Sequence, residues 1–174
     1  IILEKADEQG VALPSLTKTA EDSAATFMRH ASHQKCISCH QQQLPLAAIN
    51  LADSRQFATD RNAARHQLAL LERDLADPEI ALQGAFLPDP SIFAGYVAMD
   101  LPGAGESASL TTDAMVHMLT TIQHPDGHWS RYIPRPPIQA SDITATASAV
   151  HMIQSFLIPA RRLELEASVR RARE

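Results

Sequence analysis

The chain has 174 residues, of which 45% are hydrophobic and 20% are charged, and its formal net charge is -5 at pH 7. This composition matches a soluble globular protein of about one domain, because a disordered chain would carry fewer apolar residues and more unbalanced charge. The negative charge argues against nucleic acid as a partner, since phosphate binding needs clustered positive charge. No apolar run reaches the roughly 18 residues of a membrane-spanning helix, so we expect no membrane span.

Aromatic residues make up only 5% of the chain while Ala and Leu are abundant, which favours helices over strands. We therefore predict an all-α protein, with an irregular leader at residues 1–18 and a helical domain at residues 19–174. In chain order, a helix begins near residue 19 and leads towards Cys36. Further helices are predicted at residues 44–52, 60–76, 79–86, 90–99, 109–123, from 141 onward and at 161–174. Pro and Gly residues predict a loop at residues 124–140.

The apolar spacing of the later helices predicts which side chains face the core. For the helix at residues 109–123, the predicted stripe is Leu110, Ala114, His117, Met118, Thr121 and Ile122. For the helix that follows Ser141, it is Ile143, Ala147, Val150, Ile153 and Leu157. In the last helix, Arg and Glu residues alternate at helical spacing, which is typical of a solvated helix face.

The chain's two cysteines stand in the sequence Cys36-Ile37-Ser38-Cys39-His40. In this spacing two thiols can bond the two vinyl groups of one porphyrin, and the histidine that follows can ligate the iron. We therefore predict one covalently attached haem c, with Cys36 and Cys39 as the attachment residues and His40 as the proximal iron ligand.

Three other uses of the cysteine pair compete with this interpretation. A thioredoxin-like redox pair shares the spacing but requires a βαβ unit, and no strand is predicted. A zinc site could combine the cysteines with His124 and His128, although more than eighty residues separate the two pairs. A structural disulfide between residues three apart would close a very short loop and add little stability.

The ligand on the other side of the iron is less constrained than His40. His117 is the first candidate for this distal position, because it falls on the predicted buried stripe of its helix. His33, His30 and His151 are further candidates. The five methionines can also act as thioether ligands, although plain core packing is the commoner use of Met. An open sixth position, as in gas-binding haems, is the remaining alternative.

A second motif runs from Gln123 to Trp129, in the sequence Gln123-His124-Pro125-Asp126-Gly127-His128-Trp129. It fits Q-x-x-x-G-x-W and resembles the glutamine-tryptophan repeat of squalene-hopene cyclases and related α/α toroids. In that repeat the Gln side chain bonds backbone groups at a helix end and stacks on the Trp. The resemblance implies that Trp129 belongs to the core of a helical scaffold.

Together with the Cys36 to His40 motif and Leu44-Pro45, this run resembles a group of bacterial extracytoplasmic proteins that join a haem site to a cyclase-like toroid. The resemblance covers roughly residues 13–174 and implies a partial α/α toroid of helical hairpins. Members of the group are longer, so we expect this chain to be an N-terminal portion. The cyclases' Asp-rich D-x-D-D motif is missing, and Asp142 is expected to cap a helix, so cyclase chemistry is not implied.

These features predict a monohaem c-type cytochrome that carries single electrons to or from a redox partner protein, which can be part of a membrane-associated complex. No catalytic residues are assigned, because the sequence offers no nucleophile-base pair or carboxylate dyad. Covalent haem attachment takes place outside the cytoplasm in bacteria, so we expect a periplasmic or other extracytoplasmic location. The alternatives are a haem-based sensor or small haem enzyme with an open sixth site, and a structural or binding subunit of a larger redox complex.

Overall fold

The computed structural model describes residues 18–20, 22, 43–84, 89–103, 108–134 and 141–174. These residues are mostly helical and none of them forms a strand, which confirms the all-α prediction. The chain divides into two compact units, Ile1–Arg73 and Asp74–Glu174. Their boundary falls inside the span that the sequence predicted as one helical domain. Within the described ranges, every helix is too short or too polar to cross a bilayer.

The first unit contains helix α1 (Leu44–Ser54) and most of helix α2 (Arg61–Asp74). Pro45 stands in the first turn of α1, where a missing N–H is tolerated. The turn between the helices is held by Asp53, whose carboxylate lies 2.7 Å from Arg61 Nη2 and accepts a hydrogen bond from Thr59 Oγ1 at 3.3 Å. Leu71 is buried in α2.

The second unit holds the remaining described helices. They are α3 (Pro78–Gln83), α4 (Pro90–Gly103), α5 (Leu110–Ile122), α6 (Asp142–Ser155), a 3-10 turn (Pro159–Arg161) and α7 (Arg162–Arg171). Three of these helices begin after a side chain that accepts hydrogen bonds from otherwise unpaired backbone N–H groups. Asp77 caps α3, Ser141 accepts from Thr144 N in α6, and Ser109 forms a capping box with Thr112 in α5.

Helix α4 lies at the centre of the second unit. Residues 91–98 are buried without interruption, and a helix that is apolar on every side must be surrounded by protein. It packs mainly against α6, while α3 packs mainly against α5. Gly95 permits the close approach of α4 to α6, because a Cβ at that position would lie 2.8 Å from Ser148 Cα.

The buried face of α5 differs from the predicted stripe. Leu110 is 77% exposed and His117 and Thr121 are exposed, whereas Met118 is buried as predicted. The side chains that α5 buries are Thr111, Thr112, Met115, Val116, Met118 and Leu119. The prediction placed the buried face wrongly, because it left out Thr111 and Thr112, which are buried, and included Thr121, which is exposed. Thr111 can be buried since its hydroxyl donates to the Leu75 carbonyl at 2.7 Å.

The predicted stripe of α6 was also wrong in part. Ile143 is 82% exposed and Leu157 is 38% exposed, while Ile153 is fully buried as predicted. Helix α6 buries Ala145, Ala149, Met152 and Ile153, so small residues occupy the close contact with α4. Helix α4 also ends later than predicted, at Gly103 and not at Met99, because Asp100 and Leu101 are buried and extend the packed face.

Candidate functional site

The predicted haem attachment residues Cys36, Cys39 and His40 lie outside the described residues, as do the candidate ligands His30 and His33. The next described residue is Gln43, three residues after His40. Gln43, Leu46 and Ile49 are each 1% exposed. A porphyrin needs apolar walls that exclude water, and Leu46 and Ile49 are of that kind.

Gln43 adds a polar group to this buried surface. Neither its amide nitrogen nor its amide oxygen has a hydrogen-bond partner among the described residues. A buried amide without a partner costs about 1–3 kcal/mol, so a polar partner outside the described ranges is expected. Gln43 is therefore a buried polar residue, close to the motif in the chain, whose partner the described residues do not supply.

The two candidate distal ligands in the second unit lie at its surface. His117 is exposed on α5, so the buried position predicted for it was wrong. Its backbone carbonyl accepts hydrogen bonds from the hydroxyls of Thr120 and Thr121, at 2.8 and 3.0 Å. His151 is exposed on α6. Met115, Met118 and Met152 are buried in the core of this unit, in keeping with the packing role that is commoner for Met.

The loop after α5, described over residues 123–134 and hereafter the α5–α6 loop, begins with the second sequence motif. Gln123 Nε2 donates to the carbonyls of Gly127 and Ser168, at 2.8 and 2.9 Å. Gln123 Oε1 accepts from Ser168 Oγ at 2.7 Å and from Arg171. One side chain therefore ties the loop to α7, through the kind of backbone bond at a helix end that the resemblance implies.

Trp129 closes the motif and is fully buried, as expected for a scaffold residue. Its indole Nε1 donates to the Leu119 carbonyl at 2.8 Å, and its backbone N–H donates to Thr146 Oγ1 at 3.0 Å. Gly127 has φ of +92°, and a Cβ there would collide with the Arg171 carbonyl. The loop conformation therefore requires glycine at this position.

The next residues of the loop are clamped to the start of α6 and α4 by carboxylates. Asp142 Oδ1 accepts from both the backbone N–H and the guanidinium of Arg131, each at 3.1 Å. The backbone N–H of Arg131 is the main cause that lowers the pKa of Asp142. Buried Asp89 accepts from Tyr132 N at 3.2 Å. Asp142 was expected to cap its helix, but Ser141 takes that role and Asp142 holds the loop.

Between these anchors lies a cluster of His124, Asp126, His128 and Ser130. The imidazole rings of His124 and His128 stack with centroids 4.2 Å apart and planes inclined by 8°. Ser130 Oγ lies 3.1 Å from His128 Nε2 and 3.2 Å from His124 Nε2. Asp126 Oδ1 lies 2.7 Å from His128 Nδ1, and this hydrogen bond is the main cause that lowers the pKa of Asp126.

These distances define the protonation of His128. A carboxylate only accepts hydrogen bonds, so Nδ1 of His128 carries the proton and donates to Asp126. In the neutral ring Nε2 then has a free lone pair, which accepts from the Ser130 hydroxyl. Because the Ser130 hydroxyl has one hydrogen, it accepts in turn from the Nε2–H of His124, and a chain of hydrogen bonds runs from His124 through Ser130 and His128 to Asp126.

Sequence reasoning identified only part of this cluster. The competing zinc interpretation paired His124 with His128 as ligands, and the structure brings these histidines together. Asp126 and Ser130 were missed. No sequence pattern pointed to them, because residues 124–128 form a turn, closed by hydrogen bonds from Gly127 N to the His124 carbonyl and from His124 N to the His128 carbonyl, and this turn brings the side chains together.

Asp126, His128 and Ser130 also have the connectivity of an acyl-transfer triad, so we considered that chemistry. Such a site needs backbone N–H groups directed at the developing oxyanion. The two amides that flank the serine, of Trp129 and Arg131, donate instead to Thr146 and Asp142. The cluster is therefore better suited to hold a cation than to catalyse acyl transfer.

No protein-family model, curated protein or solved structure matches the chain. Functional inference therefore depends on the residues of the chain itself. Two features carry it, namely the Cys36-x-x-Cys39-His40 motif and the side-chain geometry of the α5–α6 loop.

Proposed function

We propose that the chain is a monohaem c-type electron-transfer protein that acts outside the cytoplasm. The observation that carries this proposal is the pair of cysteines in the sequence Cys36-Ile37-Ser38-Cys39-His40. The chain has no other cysteines, so both thiols are accounted for by one porphyrin.

Each residue of the proposed site has a distinct task. Cys36 and Cys39 bind the porphyrin edge, and the imidazole of His40 ligates the iron. Leu46 and Ile49, which follow the motif in the chain, exclude water from the haem. The low local dielectric constant that results tunes the reduction potential of the iron. The bound haem supplies a one-electron couple, and the protein positions its edge towards a redox partner.

The scaffold proposed for this site is a partial α/α toroid. In a two-layered helical ring, helices two apart in the chain lie in the same layer and pack side by side. Two such pairs, α3 with α5 and α4 with α6, make the main contacts of the second unit. This alternation supports the toroid.

The proposal is tested by producing the chain with a secretion signal in a bacterial host that has the covalent haem-attachment machinery. We expect the purified protein to gain the mass of one haem and to give a pyridine haemochrome spectrum of c type. The variant Cys36→Ser/Cys39→Ser, produced in parallel, should lack covalent haem. Wild-type protein that folds without haem under these conditions would refute the proposal.

A second measurement separates electron transfer from the sensor alternative. If both axial positions are filled, the reduced protein should be low-spin and its Soret band should shift only slowly under carbon monoxide. The variant His117→Ala tests the distal ligand, with the exposed His66→Ala as control. An immediate Soret shift in the wild type would instead favour an open sixth site and a sensing or enzymatic function.

A further inference from the structure

We propose that the α5–α6 loop binds one divalent transition-metal ion between His124 and His128. The site is independent of the proposed haem. One ligand atom from each of His124, Asp126 and His128 lies within 4.8 Å of the others. This is the one cluster of metal-ligating side chains found in the part of the chain that the structure describes.

The proximity of two imidazole nitrogens is the main argument for a cation. The Nε2 atoms of His128 and His124 lie 3.1 and 3.2 Å from the same atom, Ser130 Oγ. An ion that takes the place of this hydroxyl contact binds both nitrogens at the usual metal-nitrogen distance of about 2.0–2.1 Å once His124 has released its Nε2 proton and the two rings have turned out of their stacked arrangement. Ser130 can move aside or remain as an oxygen neighbour of the ion, and solvent can complete the coordination because His124 is exposed.

Asp126 has the role of a positioning residue. Metal-binding histidines commonly donate their second ring N–H to a carboxylate, which fixes the ring and its tautomer. His128 Nδ1 makes that bond to Asp126 at 2.7 Å. The free lone pair of His128 is therefore already on Nε2, the atom that faces His124.

The loop is organised before any ion binds. It is anchored at one end by the four hydrogen bonds of Gln123 and at the other by buried Trp129. The hydrogen bond from His124 N to the His128 carbonyl, at 3.0 Å, fixes the two histidine backbones relative to each other. The backbone of the loop therefore loses little conformational entropy when an ion binds, and this favours binding.

The donor set selects the class of metal. Neutral imidazoles suit Zn²⁺, Ni²⁺ and Cu²⁺, whereas Mg²⁺ and Ca²⁺ prefer oxygen ligands. Copper should bind more tightly than zinc, as the general affinity order for divalent ions requires. Zn²⁺ is the better probe, because it is colourless and has no redox chemistry with a haem.

The test is isothermal titration of tag-free, haem-loaded protein with Zn²⁺, repeated with Mg²⁺. We expect one zinc ion per chain and no heat with magnesium. His124→Ala and His128→Ala should each weaken zinc binding by more than Asp126→Asn, which should weaken it about tenfold. His66→Ala, at an exposed helical position, should leave it unchanged.

Folding of each variant is checked by the fluorescence of Trp129, which reports the burial of the loop. If His128→Ala disturbs it, His124→Gln decides the outcome, because that side chain is exposed and its loss leaves the core intact. Zinc binding that persists in the doubly substituted His124→Ala/His128→Ala protein would overturn the proposal. Wild-type protein that binds no zinc, or binds magnesium equally well, would do the same.

Discussion

Asp100 near the end of α4 is an acidic residue placed where water cannot reach it. Its side chain is fully buried, and burial raises the pKa of the carboxyl from 3.8 to about 8. Around neutral pH the native state therefore holds this group as a neutral acid, while the unfolded chain holds it as a carboxylate. The protein thus binds one proton more when folded, over the interval between the two pKa values.

This difference predicts how stability depends on pH. Because the pKa of Asp100 is higher in the folded state, protonation of this group favours folding. This contribution to the free energy of unfolding is complete below pH 3.8 and is lost as the pH rises to about 8. The Asp100→Asn side chain stays neutral at every pH. The free energy of unfolding of this variant should therefore rise relative to that of the wild type across the window, by up to about 1.4 kcal/mol per pH unit. Urea unfolding at a series of pH values measures this, with the exposed Glu72→Gln as control. A constant difference between Asp100→Asn and the wild type would contradict the prediction.

The contact between α4 and α6 depends on two small residues. A Cβ on Gly95 would overlap the side chain of Ser148 and lie 2.8 Å from its Cα. The helices can separate only by disturbing the buried residues on either side, among them Val97 and Ala149. Close helix packing of this kind is intolerant of added volume.

We therefore expect Gly95→Ala to destabilise the protein by about 1–3 kcal/mol, although alanine is the better helix former. Ser148→Gly removes the side chain that the new methyl group would meet. In the Gly95→Ala/Ser148→Gly protein the loss should be smaller than the sum of the single losses. Chemical denaturation of the four proteins completes the cycle, and strict additivity would show that the two positions do not meet.

Helix starts were predicted from the sequence better than helix faces. Ser109 and Ser141 stand one residue before the observed α5 and α6, because a capping hydroxyl acts over a few residues of local chain. Which side of a helix is buried depends on its neighbours. Thr111 is buried because the Leu75 carbonyl lies beside it, and no local pattern contains that information.

The same distinction holds at the metal-ligating cluster. The residue types and spacing of His124 and His128 suggested a ligand pair, but their joint orientation towards Ser130 depends on the turn at Gly127 and on the anchors at both loop ends. Asp126 and Ser130 carry no recognisable motif of their own. Their place in the cluster follows from a backbone conformation that tertiary contacts with α6 and α7 impose.

At the scale of the whole molecule, each of the two compact units has its own spectroscopic signal. Trp129 is the chain's only tryptophan and is buried in the second unit, so its fluorescence reports that unit. The proposed haem would be attached through the first unit, and its Soret absorbance would report there. The second unit also contains its own caps, its central helix α4 and its own buried core, so it meets the usual requirements for independent folding.

We therefore expect residues 74–174, produced alone, to be helical and to unfold cooperatively with Trp129 buried in the native state. Within this fragment, Leu165→Ala should cost about 2–5 kcal/mol, because the side chain is fully buried. Leu163→Ala, in the same helix but 84% exposed, should change stability by no more than about 0.5 kcal/mol. Circular dichroism and tryptophan fluorescence followed through urea unfolding measure all three. A fragment whose two leucine variants behave alike would lack the α7 packing of the full chain, and the second unit would then depend on residues before Asp74.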